Sequence, residues 1–470
     1  MAKRILNEYR FFDPDKNTRD VAYELYQIVR DLPIISPHGH IDARLLLENK
    51  PFPDPTELII IPDHYVYRML YSQGIPLELL GIPAADGTRV ERDHRRIWQI
   101  FGDNFHLFVG TPTGAWLRHE FAEIFGISEV LNSKNAMKVY NQIVGKLQTK
   151  AFLPRTLFER FGIEVLTTTE APGDTLEYHK KLKLSSLKGR VIPCFRPDSV
   201  VNVLSRGWKA AIDGLSKAAG IEVGSYKNYI KAIENRREYF KSLGAVSTDQ
   251  GVESPWTHKL STARSEAIFE RALAGKATEE DARGFTANML MEMARMSVED
   301  GLVMQIHTGS FRNHNRHIFD RFGLDKGADI PVQTEYTRNM SELLNEFGND
   351  RGFTIVVFTL DESTYSRELA PLAGHYPAMK LGAPWWFNDS IQGMKRFRES
   401  VMETAGIYNT VGFTDDTRAF LSIPARHDLS RRMDSNFLAG MVARHIISFE
   451  EALVLCKALA YDLAKKAYKL

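Results

Sequence analysis

Two histidines one residue apart carry the first chemical signal in this chain: His38-Gly39-His40, closing a short apolar run over residues 33–40. On an extended backbone, residues i and i+2 face the same side, so both imidazoles can reach one ion at about 2.0–2.1 Å. Asp415-Asp416-Thr417-Arg418 follows another apolar run near the C-terminus. Asp415 also suits a helix N-cap. Asp416 and Arg418, again two apart, can point into one site, the first as metal ligand or base and the second as an anion clamp. Two imidazoles and a carboxylate with open positions suit Zn²⁺, Mn²⁺ or Fe²⁺. With 14 histidines in 470 residues an HxH pair arises readily by chance, so the carboxylate is what gives it weight.

Further polar residues close similar runs. In CFRPD, Pro197 favours an extended backbone at Arg196, whose guanidinium can fork onto a carboxylate; an ion pair with Asp198 is the competing reading. His307 opens the polar loop HTGSFRNHN. Trp385 and Trp386 are either core packing or an aromatic floor for the C–H face of a sugar. Asp63-His64-Tyr65 reads as a helix start, Glu170 closes TTTE, and Arg426-His427-Asp428 supports the site from behind or forms a simple ion pair.

The elements that must position these side chains follow from the runs themselves. Residues 33–40, 162–170, 190–197, 244–249, 302–308, 353–361, 376–384 and 408–416 are apolar and read as buried parallel strands. Helical patterns separate most of them, as over 266–296. Eight strands alternating with helices predict an α/β fold, a closed (β/α)₈ barrel, in which the C-terminal strand ends converge on one mouth. Residues 1–40 then hold an N-terminal helix and the first strand, 41–161 a mainly helical insertion over the mouth, and 162–470 the rest of the barrel. A smaller helical extension falls around 250–300.

Composition narrows the function classes. With 60 Lys+Arg against 59 Asp+Glu, the chain has no electrostatic footprint for nucleic acid or an anionic membrane. Its longest apolar runs fall far short of the ~18 residues that span a bilayer. Two cysteines, Cys194 and Cys456, make no disulfide framework, and the first twenty residues lack the apolar core of a signal peptide, so a cytoplasmic protein is expected.

With these segments assembled, the chain resembles the uronate isomerases of the amidohydrolase superfamily. The resemblance runs through PHGHID at 37–42, DHYVYRML at 63–70, TTTEAPGDTLEYH at 167–179 and FRPD at 195–198. It continues through QIHTGSFRNHN at 305–315, GAPWWFND at 382–389 and DTRAFLS at 416–422. It implies a distorted barrel holding one divalent metal, zinc first, and no organic cofactor. It also implies interconversion of D-glucuronate with D-fructuronate and of D-galacturonate with D-tagaturonate. His38, His40 and Asp416 correspond to the metal-site residues. His64, Tyr65, Arg196, Trp386 and Arg418 line the sugar site, with Trp385 and His307 beside them. One departure stands at 167–172, where Glu170-Ala171 replaces the two acidic residues of many members and leaves a catalytic role for Glu170 open.

That reaction needs a base to carry a proton from C2 to C1 through a cis-enediol, which gives Asp416 its role. Arg418 or the metal stabilises the oxyanion, His64 or Tyr65 assists ring opening or shuttles protons, and Arg196 meets the C6 carboxylate. A hexuronate is the expected partner, and a homo-oligomer the expected assembly. A metal-dependent hydrolase on the same barrel is the alternative, because the strand-end residues serve both; a sugar-binding protein without catalysis would not need Asp416 beside a metal site.

Overall fold

The computed structural model describes residues 6–470; the first five residues of the expected N-terminal segment lie outside the described residues. Seven strands pair in parallel, in chain order around a curled sheet. They are β1 (Ile34–Ser36), β2 (Ile163–Glu170), β3 (Arg190–Phe195), β4 (Ser247–Val252), β5 (Val303–Thr308), β8 (Ile355–Thr359) and β9 (Met379–Leu381). Two short strands, β6 (Ser310–Phe311) and β7 (Ile330–Pro331), form a separate antiparallel ribbon beyond β5.

The eighth expected strand, 408–416, is not one. A 3₁₀ turn at Ile407–Asn409 leads to a single bridge between Thr410 and Leu381, and the chain then runs irregularly. Gly412 at φ +77° and Asp416 at φ +37° both break an extended backbone. The segment still closes the ring: Val411 N–H donates to Leu381 O (3.1 Å) on one side, and His40 N–H donates to Thr417 O (3.0 Å) on the other. This is a distorted (β/α)₈ barrel.

Period-2 alternation places the chemistry inside that ring. On β5, Val303, Gln305 and His307 are buried at alternating positions. Val303 packs with Val356, Phe358, Val411 and Tyr468, while Tyr468 Oη donates to Gln305 Oε1 (2.8 Å). The C-terminal turn therefore plugs the lower end of the barrel and leaves the upper end for His307. Gly382 follows β9 because a Cβ there would lie 2.3 Å from the Phe358 ring. That close approach lets Phe358 lie flat against His307, with ring centroids 4.1 Å apart.

Between β1 and β2 run helices with their own apolar core, including Val66, Trp98, Phe101, Phe121 and Leu157. Between β4 and β5 lie the helices Thr262–Leu273 and Glu279–Asp300. The helix Lys16–Val29 packs on the long helix Ser422–Ala443. Among the described residues no helix is long and apolar enough to cross a membrane.

Candidate active site

β1 ends earlier than its apolar run suggests, and that frees His38 and His40 from the sheet ladder. β1 stops at Ser36 because Pro37 has no N–H to continue the ladder. His38 and His40 therefore leave the sheet on an irregular segment that bends at His38. β4, conversely, runs three residues past Asp249, so Asp249 sits mid-strand and fully buried instead of at a strand end.

These side chains meet around one point. His38 Nε2 lies 3.6 Å from Asp416 Oδ1 and 3.9 Å from Asp249 Oδ2, and His40 Nε2 lies 3.1 Å from the same Asp416 oxygen. His307 stacks on His38 with centroids 4.8 Å apart. Ligand atoms of His38, His307 and Asp416 all fall within 4.8 Å of one another. The tightest group thus takes His307 where the sequence reading had His40, with His40 at its edge.

The donor set fits a cation. His307 Nδ1 is 2.6 Å from Asp249 Oδ1, so the carboxylate fixes the tautomer and leaves Nε2 as a bare lone pair. That Nε2 is buried and finds no hydrogen-bond partner among the described residues. Burial holds the His38 imidazole down at about 4, against the pull of Asp249 and Asp416, so it is neutral and able to ligate at pH 7. Burial pushes the Asp416 carboxyl up, but a contact with His40 and the imidazoles of His38 and His307 outweigh it and hold it well below the usual range. Asp249 is held low in the same way by His307, Arg196 and His38.

A cavity of about 990 Å³ opens over this group. Both tryptophans line it, as do His64, Arg196, Arg312, Asp325 and Arg418. Trp386, at φ +53°, lies 4.2 Å from the His64 ring, and Trp385 meets His307 edge-on at 4.8 Å. His64 is neutral, its proton affinity driven well down by burial and then by Arg418. Arg196 is already engaged, with Nε 2.8 Å from Asp198 Oδ2 and Nη1 3.3 Å from Asp249 Oδ2. Arg418 pairs with Asp325 at 3.1 Å. Nine carboxylates line the cavity against three guanidiniums, a field that repels an anion unless a cation offsets it.

The comparisons with known proteins agree along the whole chain. A family profile described as glucuronate isomerase matches residues 12–468. The chain belongs to the glucuronate isomerase family. It is an enzyme, an isomerase. A relative named uronate isomerase from Nostoc punctiforme is 52% identical over 469 residues, covering 100% of this chain and 99% of its own length. A solved glucuronate isomerase from Caulobacter crescentus superposes with TM-score 0.97 at 50% identity, over 99% of this chain and 97% of its own. A uronate isomerase from Thermotoga maritima gives 0.93 at 29% identity, over 99% of each chain.

Against this glucuronate isomerase frame, one expected site residue moves. Tyr65 does not line the cavity. Asp63 caps the helix His64–Ser72, its carboxylate accepting from Tyr65 N–H (2.8 Å). Consecutive helical residues point about 100° apart, so His64 faces the cavity while Tyr65 turns into a buried cluster with Trp116 and Met394. Sequence reasoning gave no role to Asp249, Arg312 or Asp325. Asp249 had a weak signal in its strand; Asp325 had none, because its partner Arg418 is distant in the chain. Glu170 lines the cavity, accepts from Thr168 Oγ1 (2.8 Å), and is pushed up to about 7 by burial.

Proposed function

We propose that this chain converts D-glucuronate to D-fructuronate and D-galacturonate to D-tagaturonate by proton transfer through a cis-enediol. The observation that carries this reading is the ionised Asp416 carboxylate, set among three imidazoles beneath two tryptophans in a cavity large enough for a hexuronate. Asp416 removes the C2 proton and returns it to C1. Arg418, beside it on the same turn, stabilises the oxyanion that develops as the proton leaves. Neutral His64 moves protons on O1 and helps open the sugar ring. Trp386 and Trp385 cover the C–H face of the sugar. Arg196 takes the C6 carboxylate, which competes for it with the partly exposed Asp198. Tyr65 backs His64 from the buried side.

His38, His307 and Asp416, with His40 adjoining, are the residues that hold one divalent ion, zinc first and manganese or iron as alternatives. When bound, that ion supplies fixed positive charge against developing oxyanions. No organic cofactor enters the scheme. The hydrolase reading is not favoured, since the whole-length relatives carry isomerase names. We further take the protein to be cytoplasmic and a homo-oligomer; its two cysteines are buried free thiols, which suits a reducing compartment.

Incubating the pure protein with D-glucuronate, and following keto-uronate by NMR before and after chelation, tests the reading. Turnover that disappears on chelation and returns with Zn²⁺ or Mn²⁺ is expected. Failure to form any keto-uronate from either sugar with the metal-loaded protein defeats it.

A further inference from the structure

Asp416 holds a backbone conformation that L-residues seldom adopt, φ +37°, so something outside the turn must stabilise it. The neighbouring residue shows what does. Asp415 is gripped twice from the first turns of the helix Ser422–Ala443. Its backbone carbonyl accepts from Arg426 Nη1 (3.0 Å), and its carboxylate Oδ1 lies 3.3 Å from His427 Nε2. The same Arg426 nitrogen donates to Asp389 Oδ2 (2.7 Å), three residues after Trp386, which also holds a positive φ. The guanidinium carbon lies 3.8 Å from the Trp116 ring centroid and 4.8 Å from that of Tyr65. Arg426 is 1% exposed and lines no part of the cavity. It joins the Asp416 turn, the tryptophan loop and the helical wall at one charge.

We propose that Arg426 is a positioning residue: its contacts to the Asp415 carbonyl and to Asp389 hold the 415–417 turn so that Asp416 faces His38, His40 and His307. An ordinary buried ion pair would tie Asp389 and nothing more. The shared nitrogen on Asp415 O makes the turn geometry depend on it. A lysine keeps the charge but lacks the planar fork and its stacking surface, so it cannot keep both contacts and the ring faces together. The inference rests on the proposed role of Asp416, and its first readout needs no turnover.

The test uses the whole chain as Arg426→Lys, with Asp389→Asn and His427→Gln as companions that loosen the same turn more gently should Arg426→Lys not fold. Folding is checked by circular dichroism, and Zn²⁺ affinity is read by chelator competition. Loss of a group that orients a ligand typically costs 10–100-fold in metal affinity. That loss is expected in Arg426→Lys, and a smaller one in each companion. At saturating metal, kcat on D-glucuronate should drop at least tenfold with KM within threefold. Folded variants that all keep Zn²⁺ affinity and kcat within threefold of the parent overturn the proposal, as does a loss confined to KM. A parent that binds zinc yet leaves both uronates unchanged counts against the proposed activity alone, and the affinity arm still decides the role of Arg426.

Discussion

Replacing Asp416 with Asn separates chemistry from architecture at the residue proposed as the base. Asn and Asp populate the left-handed region more readily than other non-glycine residues, so the φ of +37° is kept without new strain. Ala there would pay about 1–2 kcal/mol for the same backbone, and its inactivity could be blamed on the turn. The amide still offers an oxygen toward His40 Nε2, 3.1 Å away in the parent, and toward His38 Nε2 at 3.6 Å. It cannot take a proton from carbon at neutral pH. Loss of a general base alone costs roughly 10²–10⁴-fold, about 3–5 kcal/mol at 1.36 kcal/mol per decade. Because the Asp416 charge also faces the imidazoles of His38, His40 and His307, the expected loss of kcat on D-glucuronate lies beyond the middle of that range, above about 10³-fold. The assay is a steady-state rate with metal in excess, with folding checked by circular dichroism. Turnover of the parent in D₂O, read by NMR at C1 of the ketose, completes it. Deuterium at C1 is expected, since a proton carried by a carboxylate exchanges with water. An Asn variant within tenfold of the parent, together with a C1 free of solvent deuterium, refutes the base assignment and leaves a direct C2-to-C1 hydride shift. Helix capping offers no rival account of Asp415 or Asp416, because Leu421 stands at the N-cap of the helix Ser422–Ala443.

Replacing both His38 and His40 with Ala should lower bound metal well below one equivalent in a folded chain; a full equivalent by elemental analysis would move the ion elsewhere. Arg196→Met should cut kcat/KM for uronates roughly 30- to 1000-fold and a neutral aldose far less, a charged hydrogen bond in a desolvated site being worth about 2–4 kcal/mol. It should also lower the denaturation midpoint, because Asp249 is buried and loses its only guanidinium contact among the described residues. Burial pushes the Glu120 carboxyl up to about 8, so this group stabilises the fold below an unfolded value near 4.5 and loses that contribution as pH rises toward 8. Glu120→Gln should therefore match the parent near pH 4.5 and exceed it at pH 8 by up to about 5 kcal/mol in urea unfolding; parallel pH profiles would contradict this.

The barrel was legible because its strands are buried on both faces and read as short apolar runs. Ends were less so. Pro37 cuts β1 after Ser36, and β9 keeps only Met379–Leu381 of the nine-residue run around it. The segment 408–416 has strand composition, yet Gly412 approaches Leu459 O so closely that a Cβ would lie 2.8 Å from it. That constraint comes from the C-terminal helices, a long-range contact that no local pattern encodes. β4 matches its run in length but is shifted three residues on, because Ser247, Thr248, Asp249 and Gln250 are polar yet buried and carry no apolar pattern.

The site divides along the same line. His38, His40, Arg196, His307, Trp385, Trp386, Asp416 and Arg418 reach one cavity because strand ends converge on a barrel mouth, and His64 joins them from a helix of the segment between β1 and β2. What topology does not supply is charge state and direction. Tyr65 and His64 are neighbours in the chain and their rings stack at 4.9 Å, yet only His64 reaches the cavity. Arg196 has its charge shared between Asp198 and the buried Asp249, so in its proposed role a substrate carboxylate would have to compete with Asp198. Asp249 itself does two things at once: it orients His307 at 2.6 Å, leaving Nε2 bare, and it lies 3.3 Å from Arg196 Nη1, drawing part of that charge. If the cavity takes a sugar acid as proposed, a cation held at His38, His307 and Asp416 would offset part of the excess of carboxyl groups over guanidiniums that lines it. The metal-loaded protein should therefore bind a uronate more tightly than the chelated protein, and equal affinities in equilibrium binding with and without chelator would contradict this.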